Sequence, residues 1–477
     1  MVHANLPHMQ RPDRRYLIVI AVIIAVGLAT VVHGYWPGIM IDDARWQYQQ
    51  AVDNTYEDWH PPLMAWIWRR LMLLQPGPAP MLVVQLSLYW VGLTLTALWA
   101  NWRRNPQLGV SVALVGWLPA SLALTGTVTK DCLMAGALAC ATGLILWARE
   151  AAARWQRAAL SGAALAALMF AAALRFNAFL ACVPLALAAA PRPFTRTAAR
   201  KIVTATAATA VFMATGPAIS ELVQAESTDV NLSLIIFDLG GITARSGVSA
   251  FPDMGVRDPV AVNRGCYDPN QWDGYSSWAP KPCPLGFERF QSLVDDDDVS
   301  PVSFWLRAII NHPVAYAEHR LDHFNRSTWF LLRESPHFTA WTASVPNPWN
   351  YQVRMNALLA AVSRYADVAA RTPLGWPCFW IAVGLAAFVL AACQGLDLQF
   401  VAIAASAPLY GLGYLLFGVA TGMRYHFWTM TGAALAAALV IGELRRGDVR
   451  VCRKAVGFAA IVVAVPTLMA IASRLLL

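Results

Sequence analysis

The stretch YLIVIAVIIAVGLATVV, residues 16–32, decides how the rest of the chain is interpreted. It contains no charged residue and is close to the length of a membrane-spanning helix, which needs ~20 apolar residues. A basic cluster at residues 11–15 precedes it, as in a secretory signal peptide. Because the run is long and no small-residue cleavage site follows it, we predict a first membrane helix that is retained.

The composition extends this interpretation to the whole chain. Of the 477 residues, 57% are hydrophobic and 13% are charged, whereas soluble globular chains carry about 25% charged residues. Long apolar runs recur, so the expected fold class is an all-α polytopic membrane protein. The net charge of +8 does not indicate nucleic-acid binding, because the Lys and Arg residues stand in short clusters between apolar runs.

The apolar runs predict eleven transmembrane helices of roughly 20 residues each. They cover residues 16–34, 80–101, 107–125, 131–148, 158–174, 176–190, 200–218, 374–393, 398–420, 425–443 and 455–475. The charged connections then predict the orientation. Basic clusters fall in alternate connections, at residues 14–15, 103–104, 149–157, 192–201 and 445–454. Cytoplasmic loops are rich in Lys and Arg, so we predict a cytoplasmic N-terminus, a periplasmic C-terminus and a bacterial inner-membrane location.

Three regions follow from this topology. An N-terminal transmembrane module, 1–218, contains a first periplasmic loop, 35–79; a periplasmic domain spans 219–372; and a C-terminal transmembrane module spans 373–477. All large polar segments then lie outside the cytoplasm. Neither GxxxxGK[ST] nor GxGxxG opens a helix, so we do not expect a nucleotide-binding site.

The polar segments carry helix and turn signals of their own. In the first loop, residues 44–55 and 63–74 predict two helices lying in the plane of the membrane interface. In the periplasmic domain, residues 304–332 have helical spacing with a break at Pro313. The acidic run at residues 295–298 indicates a solvated turn.

Two of the eight cysteines, Cys266 and Cys283, stand together in the predicted periplasmic domain. The other six lie in or beside apolar runs and are expected to be small core residues. If the polar segment is extracytoplasmic, a disulfide between Cys266 and Cys283 is expected, because that compartment is oxidising. Free thiols are the alternative.

Ionisable residues gather at helix ends on the predicted periplasmic side, where four connections contribute them. They are Asp42, Asp43, Asp58 and His60 in the first loop, Lys130 and Asp131 at the fourth helix, Arg175 after the fifth, and Arg424, Tyr425 and His426 before the tenth. Charges at membrane depth are costly and usually face a cavity or a functional path.

The residue types fit the displacement of a phosphate leaving group. Lys130, Arg175 and Arg424 suit phosphate, because a guanidinium grips it bidentately and an ammonium acts as a point charge. A carboxylate, Asp43 or Asp42, suits a general base that takes a proton from an acceptor hydroxyl. The sequence does not distinguish the two acids, although we favour Asp43.

Other roles remain open for these residues. Asp58 and His60 would position substrate or bind a divalent cation, which is the one cofactor left open. An acid can also cap a helix, a cation can snorkel to the interface, and Tyr425 can belong to the aromatic belt. His426 is as readily a packed residue as a site residue.

At IDDA, residues 41–44, followed by DWHPPLMAW, residues 58–66, the chain resembles the GT-C superfamily of membrane glycosyltransferases. In the aminoarabinose transferases and protein O-mannosyltransferases of that group, the first extracytoplasmic loop carries an acidic pair, and a Pro-Pro-Leu-x-x-Trp stretch follows in many bacterial members. Three further segments resemble bacterial members: Thr129-Lys130-Asp131, Leu174-Arg175-Phe176-Asn177 and Met423-Arg424-Tyr425-His426.

The resemblance implies a polyprenyl-phosphate sugar donor and an inverting transfer outside the cytoplasm, with one acid of the first pair as the base. We assign substrate or metal positioning to a set of neighbouring residues: Asp58, His60, Asp131, Asn177, Tyr425 and His426. The chain departs from the family where Asp-Asp replaces the frequent Asp-Glu, and where His60 replaces the Lys of several relatives. Metal use and sugar identity therefore stay open.

The leading hypothesis is a lipid-linked sugar transferase with a lipid, glycan or protein acceptor. An O-antigen-type polymerase or ligase has the same topology but uses a diphosphate-linked glycan. A transporter or flippase would carry charges and helix breaks near mid-span, which the one-sided cluster argues against. Trp272, Tyr275 and Trp278 either stack on sugars or pack inside the periplasmic domain.

Overall fold

The computed structural model describes residues 14–296, 300–333, 340–446 and 452–476, and this part of the chain is almost entirely helical. Its β structure, in the same residues, is limited to isolated bridges. The predicted all-α class is therefore confirmed. The α-helices of the described residues are, in chain order, α1 Arg14–Tyr35, α2 Asp42–Asp53, α3 Leu63–Leu71, α4 Ala79–Trp102, α5 Pro106–Val115, α6 Pro119–Leu124, α7 Lys130–Glu150, α8 Arg154–Ala172, α9 Phe179–Ala189, α10 Arg192–Thr195, α11 Ala198–Leu222, α12 Asn231–Ser246, α13 Pro259–Cys266, α14 Phe287–Asp295, α15 Pro301–Asn311, α16 Pro313–Thr328, α17 Ala357–Ala370, α18 Pro377–Cys393, α19 Leu398–Phe417, α20 Phe427–Arg445 and α21 Arg453–Leu476.

Seven helices in the described ranges are long and apolar enough to cross a membrane. They are α1, α4, α7, α11, α19, α20 together with the turn before it, and α21. All seven coincide with predicted spans, so the chain is a multi-pass membrane protein. The other four predicted spans correspond to helices that are shorter or less apolar, namely α5, α8, α9 and α18. The count of eleven stays a prediction.

The span predicted at residues 107–125 is wrong as a continuous helix. α5 ends at Val115, and α6 begins only at Pro119. Proline lacks a backbone N–H and disfavours helical backbone in the residue before it. Leu118 accordingly is not helical, with a ψ angle of 146°, and the break divides the segment into two short helices.

The span predicted at residues 176–190 is shorter in the structure. The chain first makes a turn in which the Ala178 N–H donates to the Arg175 carbonyl at 3.1 Å, and α9 begins only at Phe179. The turn places Arg175 at one end of the helix bundle, between α8 and α9.

Glycines let α4 and α7 approach closely at the centre of the bundle. A Cβ atom on Gly92 of α4 would lie 2.5 Å from the backbone of Ala139, and one on Gly136 of α7 would lie 2.9 Å from Leu88. Small residues are common at helix–helix contacts in membranes, because close packing rather than the hydrophobic effect drives association there. This contact fixes the first turn of α7, which carries two candidate site residues.

Connections predicted to be cytoplasmic meet at the other end of the bundle. Arg103, after α4, pairs with Glu150 at the end of α7 (2.7 Å) and with Glu443 near the end of α20 (3.3 Å). Arg149 donates to the carbonyl of Ala190, just before α10, at 3.4 Å. The first turn of α7 and the turn before α20 therefore lie at the opposite end.

Two short helices and a second hydrophobic core lie at that opposite end. The predicted first-loop helices appear as α2 and α3, and the predicted break at Pro313 separates α15 from α16. Helices α12 to α16 surround the second core, which includes the buried Phe237 and Phe290. Trp59 of the first loop packs against it. Residues 297 and 298 of the predicted acidic turn lie outside the described residues.

Cys266 and Cys283 form a disulfide beside this second core, with a sequence separation of 17 residues. Closing a loop of this length removes about 3 kcal/mol of chain entropy from the unfolded state. We expect the paired substitution Cys266→Ser and Cys283→Ser to destabilise α12–α16 by a similar amount. Hydrogen exchange of these helices would measure the effect. Reduction of the unmodified protein should reproduce it, and unchanged exchange would contradict it.

Candidate active site

Two extended segments bring the first loop to the start of α7. The Ile39 N–H donates to the Gly126 carbonyl at 3.1 Å, and the Val128 N–H donates to the Ile39 carbonyl at 2.9 Å. The buried side chain of Gln85 in α4 holds the second segment by donating to the Thr127 carbonyl at 2.9 Å. Helices α2 and α7 begin just after these segments, so their first turns lie side by side.

Four charged side chains form a chain of ion pairs at this point. Arg424 Nη2 lies 2.8 Å from Asp43 Oδ2, and Arg424 Nε lies 3.9 Å from Asp131 Oδ2. The other oxygen of Asp131 lies 2.5 Å from Arg175 Nη1. The structure thus brings together candidate residues from α2, α7, the α8–α9 turn and the turn before α20.

The ring of Tyr425 contacts both arginines. Its centre lies 4.8 Å from the guanidinium carbon of Arg175 and 5.0 Å from that of Arg424. Its hydroxyl accepts a hydrogen bond from Arg424 Nη2 at 3.2 Å. An aromatic face attracts cations, so Tyr425 helps to hold two like charges at one site.

His60 stands between Lys130 and Asp43. Lys130 Nζ lies 2.6 Å from His60 Nδ1. An ammonium group only donates, so Nδ1 accepts this hydrogen bond and the ring proton of the neutral imidazole lies on Nε2. His60 Nε2 is 3.8 Å from Asp43 Oδ2. The neutral imidazole therefore accepts a hydrogen bond from the Lys130 ammonium and turns its ring N–H toward the Asp43 carboxylate.

The environment sets the charges of Asp43 and His60. Burial alone would raise the pKa of Asp43, but Arg424 and the neighbouring basic groups outweigh it and lower that pKa. Burial, and then the charge of Lys130, lowers the pKa of His60 to about 3. Asp43 is therefore a carboxylate and His60 a neutral ring near neutral pH. Since the ordinary pKa of Asp is about 3.9, the pairing of Asp43 stabilises the fold above that value and is lost only as the pH falls through the lowered pKa.

The cluster offers positive charge to a ligand. Its three cations, Lys130, Arg175 and Arg424, face two carboxylates. Arg424 Nη1 is buried and has no hydrogen-bond partner among the described residues. Buried donors are normally satisfied, and a guanidinium suits the oxygens of a phosphate group. An anionic ligand would complete this arrangement.

The other two acids of the first loop have different partners. The Asp42 side chain is 75% exposed and lies 3.4 Å from Arg45, whereas that of Asp43 is 23% exposed. Asp58 accepts hydrogen bonds from the backbone N–H and the hydroxyl of Thr228, at 2.7 and 2.8 Å. Asp58 thus ties the first loop to the chain after α11, and Asp43 faces the cations.

Asn177 and His426 lie beside a second aromatic residue of α19. Asn177 is buried next to the hydroxyl of Tyr414. The His426 ring packs against Tyr414 with centres 4.9 Å apart, and its Nε2 lies 2.9 Å from the Ser327 hydroxyl. His426 therefore connects the turn before α20 to α16.

Asp43 also lines a cavity of about 910 Å³. The first loop, the chain after α11 and the second core line it, through Asp42, Asp43, Arg45, Trp46, Glu57, Trp59, His60, Glu226, Ser227, Thr228, Trp272, Asp273, Ser277, Trp278, Phe287, Glu288 and Gln291. Sequence reasoning missed four acids of the lining, which belong to no recognisable motif: Glu57, Glu226, Asp273 and Glu288. The one signal near them was the Trp-rich stretch that begins at Trp272. Tyr275 of that stretch is buried and packs inside the second core.

The second core also holds the loop that leads to Arg424. Arg320 of α16 donates to the Gly418 carbonyl at 2.6 Å. The Trp272 N–H donates to the Val419 carbonyl at 2.9 Å. Because Trp272 also lines the cavity, the cavity wall and the arginine-bearing loop share a backbone contact.

In the described parts of the chain, no group of three or more His, Cys, Asp or Glu side chains converges to hold a metal ion. Asp58 and His60, the residues predicted to bind a metal if one is used, contact Thr228 and Lys130 respectively.

Comparisons with known proteins found similar structures but no matching family model and no matching curated protein. One similar structure is the archaeal oligosaccharyltransferase AglB from Archaeoglobus fulgidus, in complex with an inhibitory peptide and a dolichol-phosphate (12% identity, TM-score 0.39). The match covers 97% of this chain and 56% of AglB, so the chain spans little more than half of that protein's length.

ArnT from Cupriavidus metallidurans is also similar, in the apo state (14% identity, TM-score 0.33) and bound to undecaprenyl phosphate (14% identity, TM-score 0.32). These matches cover 91% of this chain and 78% or 79% of ArnT. Both AglB and ArnT are GT-C superfamily proteins.

Proposed function

We propose that this protein is an inverting glycosyltransferase that moves a sugar from a polyprenyl-phosphate donor to a hydroxyl acceptor on the periplasmic side of the membrane. The position of Asp43 carries the proposal. Its carboxylate pairs with Arg424 on one side and lines the cavity on the other. A displacement of phosphate by a hydroxyl needs a base between an anion site and a space for the acceptor.

The three cations suit the phosphate of the donor. Arg424 has a free buried donor, Nη1, and Arg175 is held near it by Tyr425. Lys130 adds a point charge from the first turn of α7. These groups would bind the phosphate in the ground state and stabilise it more strongly as it leaves with additional negative charge.

Asp43 would act as the general base. The acceptor hydroxyl gives its proton to the carboxylate while its oxygen attacks the anomeric carbon from the face opposite the phosphate. The bond from that carbon to the phosphate oxygen breaks, and its electron pair leaves on the phosphate. A single displacement of this kind inverts the anomeric centre and yields a glycosylated acceptor and polyprenyl phosphate.

The contact between Arg424 and Asp43 supports an order of binding. The nearby guanidinium lowers the pKa of Asp43 against the effect of burial, which makes the carboxylate a weak base. A phosphate that accepts hydrogen bonds from Arg424 would offset this positive charge and raise the proton affinity of Asp43. Binding of the donor first would therefore prepare the base for the acceptor.

The location of the site supports a lipid-linked donor. The site lies at the end of the bundle opposite the basic connection around Arg103, which the positive-inside rule assigns to the cytoplasm. Nucleotide sugars are made in the cytoplasm, so a periplasmic site needs a donor that has crossed the membrane on a lipid. The expected role is modification of glycans or lipids of the cell envelope.

The test is transfer by the purified full-length protein in lipid nanodiscs. Labelled undecaprenyl-phosphate sugars would be supplied with fractionated envelope acceptors. We expect label on the acceptor, release of undecaprenyl phosphate and an anomeric configuration opposite to that of the donor. Transfer only from a diphosphate-linked glycan would instead indicate a polymerase or ligase. Accumulation of solute in proteoliposomes without donor would indicate a transporter.

The substitution Lys130→Met tests the donor site. It removes the point charge but keeps a side chain of similar length. We expect the KM for the donor to rise about tenfold or more, which corresponds to about 1.4 kcal/mol, with a smaller change for the acceptor. Steady-state kinetics with varied donor would measure this. Lys201→Met, on the exposed surface of α11, is the matched control, and an unchanged donor KM for Lys130→Met would contradict the assignment.

A further inference from the structure

The wall of the cavity beside Asp43 is strongly acidic. Its carboxylates are Asp42, Asp43, Glu57, Glu226, Asp273 and Glu288. Among the lining residues, Arg45 is the single Lys or Arg, and it pairs with Asp42. His60 is neutral because its pKa is lowered to about 3. The wall therefore carries a large uncompensated negative charge.

The lining of the cavity includes the acids but not the three cations of the cluster. Lys130, Arg175 and Arg424 are not part of the cavity lining, whereas Asp43 is. Within the cavity, burial and then the charge of Asp43 raise the pKa of Asp273. Repulsion of this kind arises when carboxylates face one another without a cation between them. A cationic ligand would relieve it.

Trp278 gives the same cavity a stacking surface. Its side chain is 54% exposed, although the ring is held edge-to-face against Trp59 at 5.3 Å and Trp272 at 5.4 Å. A large aromatic ring fixed in this way offers rigid contact area with little loss of conformational freedom on binding. The apolar face of a sugar ring fits such a surface.

We propose that this cavity is the acceptor subsite and that it selects carbohydrates bearing free, protonated amino groups. The inference rests on the proposed function, because the base Asp43 lines the cavity. Ammonium groups would form charge-assisted hydrogen bonds with carboxylates such as Asp273 and Glu288, while a sugar ring packs on Trp278. A phosphorylated or uronic-acid acceptor is repelled by the same wall.

Binding of defined trisaccharides tests the charge preference. The full-length protein in nanodiscs would be titrated calorimetrically at about pH 6, where amino groups are protonated. The probes are the glucosamine trimer, its fully N-acetylated form with the same backbone, trigalacturonate and, as a basic peptide, tri-lysine. We expect the glucosamine trimer to bind at least about tenfold more tightly than the neutral trimer, equivalent to about 1.4 kcal/mol. Trigalacturonate should not bind.

Substitutions in the cavity wall test which residues cause the preference for the glucosamine trimer. Asp273→Asn combined with Glu288→Gln should reduce the difference between the two trimers to about threefold or less, equivalent to about 0.7 kcal/mol, and leave the neutral trimer unaffected. Trp278→Ala should weaken both trimers. Glu318→Gln removes a carboxylate at an exposed position on α16 outside the cavity lining; it is the control for position and should change neither.

Two outcomes would overturn the inference. One is equal or tighter binding of the neutral or the acidic trimer, and the other is tighter binding of tri-lysine than of the glucosamine trimer, which would indicate a basic peptide instead. The assay needs no donor and no turnover. A protein that binds as expected but transfers no sugar therefore refutes the proposed function alone, and one that transfers sugar without charge preference refutes only this inference.

Discussion

Asp43→Asn should lower kcat for sugar transfer by roughly a hundred- to ten-thousandfold, the range for loss of a positioned general base. The amide keeps the shape of the side chain and can still accept a hydrogen bond from Arg424, but it cannot take the acceptor proton. Removal of the charge also leaves Arg424 without its 2.8 Å carboxylate partner. We therefore expect the donor to bind as tightly as before or more tightly. Steady-state rates and calorimetric titration with undecaprenyl phosphate would separate the two effects.

Asp42→Asn is the matched control for this substitution. Asp42 is the neighbouring acid, but its exposed side chain pairs with Arg45, and an exposed pair of this kind contributes at most about 1 kcal/mol. Transfer should change by less than about threefold, equivalent to about 0.7 kcal/mol. If both variants retained full activity, neither acid would be the base. A large loss for Asp42→Asn alone would reverse the assignment.

Arg424→Lys should have the second large effect, a fall in kcat/KM for the donor of about a hundredfold, equivalent to about 2.7 kcal/mol. The substitution keeps a positive charge, yet a lysine cannot make the planar, forked contacts of a guanidinium. Arg424 uses these contacts to reach Asp43, Asp131 and the Tyr425 hydroxyl together. Donor-dependent rates would measure the loss.

The thermal stability of the variant must be measured as well, because Arg424 pairs with Asp43 and Asp131 and its replacement can destabilise the fold. Arg446→Lys, at the other end of α20 and paired only with Glu443 across 3.5 Å among the contacts that the structure records, is the matched control. Thermal unfolding of both variants would show whether the fold is kept. A folded Arg424→Lys protein with unimpaired use of the donor would remove Arg424 from the phosphate site.

Much of this arrangement could be predicted from local sequence signals. The apolar run at 16–32 and its successors predicted the seven helices of the described residues that are long and apolar enough to cross a membrane, because hydrophobic length depends on the local sequence alone. The prediction of one continuous helix over residues 107–125 was wrong, because the whole run is apolar although the helix breaks before Pro119. The broken helix remained apolar throughout, so hydropathy alone had no means of detecting it.

The pairing of site residues depends on contacts that sequence patterns do not encode. Asp43 and Arg424 meet across most of the chain. The segment at Ile39 pairs with the one at Val128 and sets Asp43 beside α7, while Arg320 and Trp272 hold the loop that leads to Arg424. The order of motifs predicted only that these residues share a side of the membrane. The choice between Asp42 and Asp43 depends on the direction in which each side chain leaves the first turn of α2, which adjacent positions in a sequence do not reveal.

The contacts at Gly418 and Val419 bear on how such a protein can change over evolution. The second core, which supplies part of the cavity wall, also holds the backbone that leads to Arg424, through Arg320 and Trp272. Under the proposed function, acceptor selection by the cavity and donor binding by Arg424 therefore depend on the same backbone contacts. A chimera that imports α12–α16 from a relative should stay inactive unless the segment from Gly418 to the start of α20 comes from the same parent.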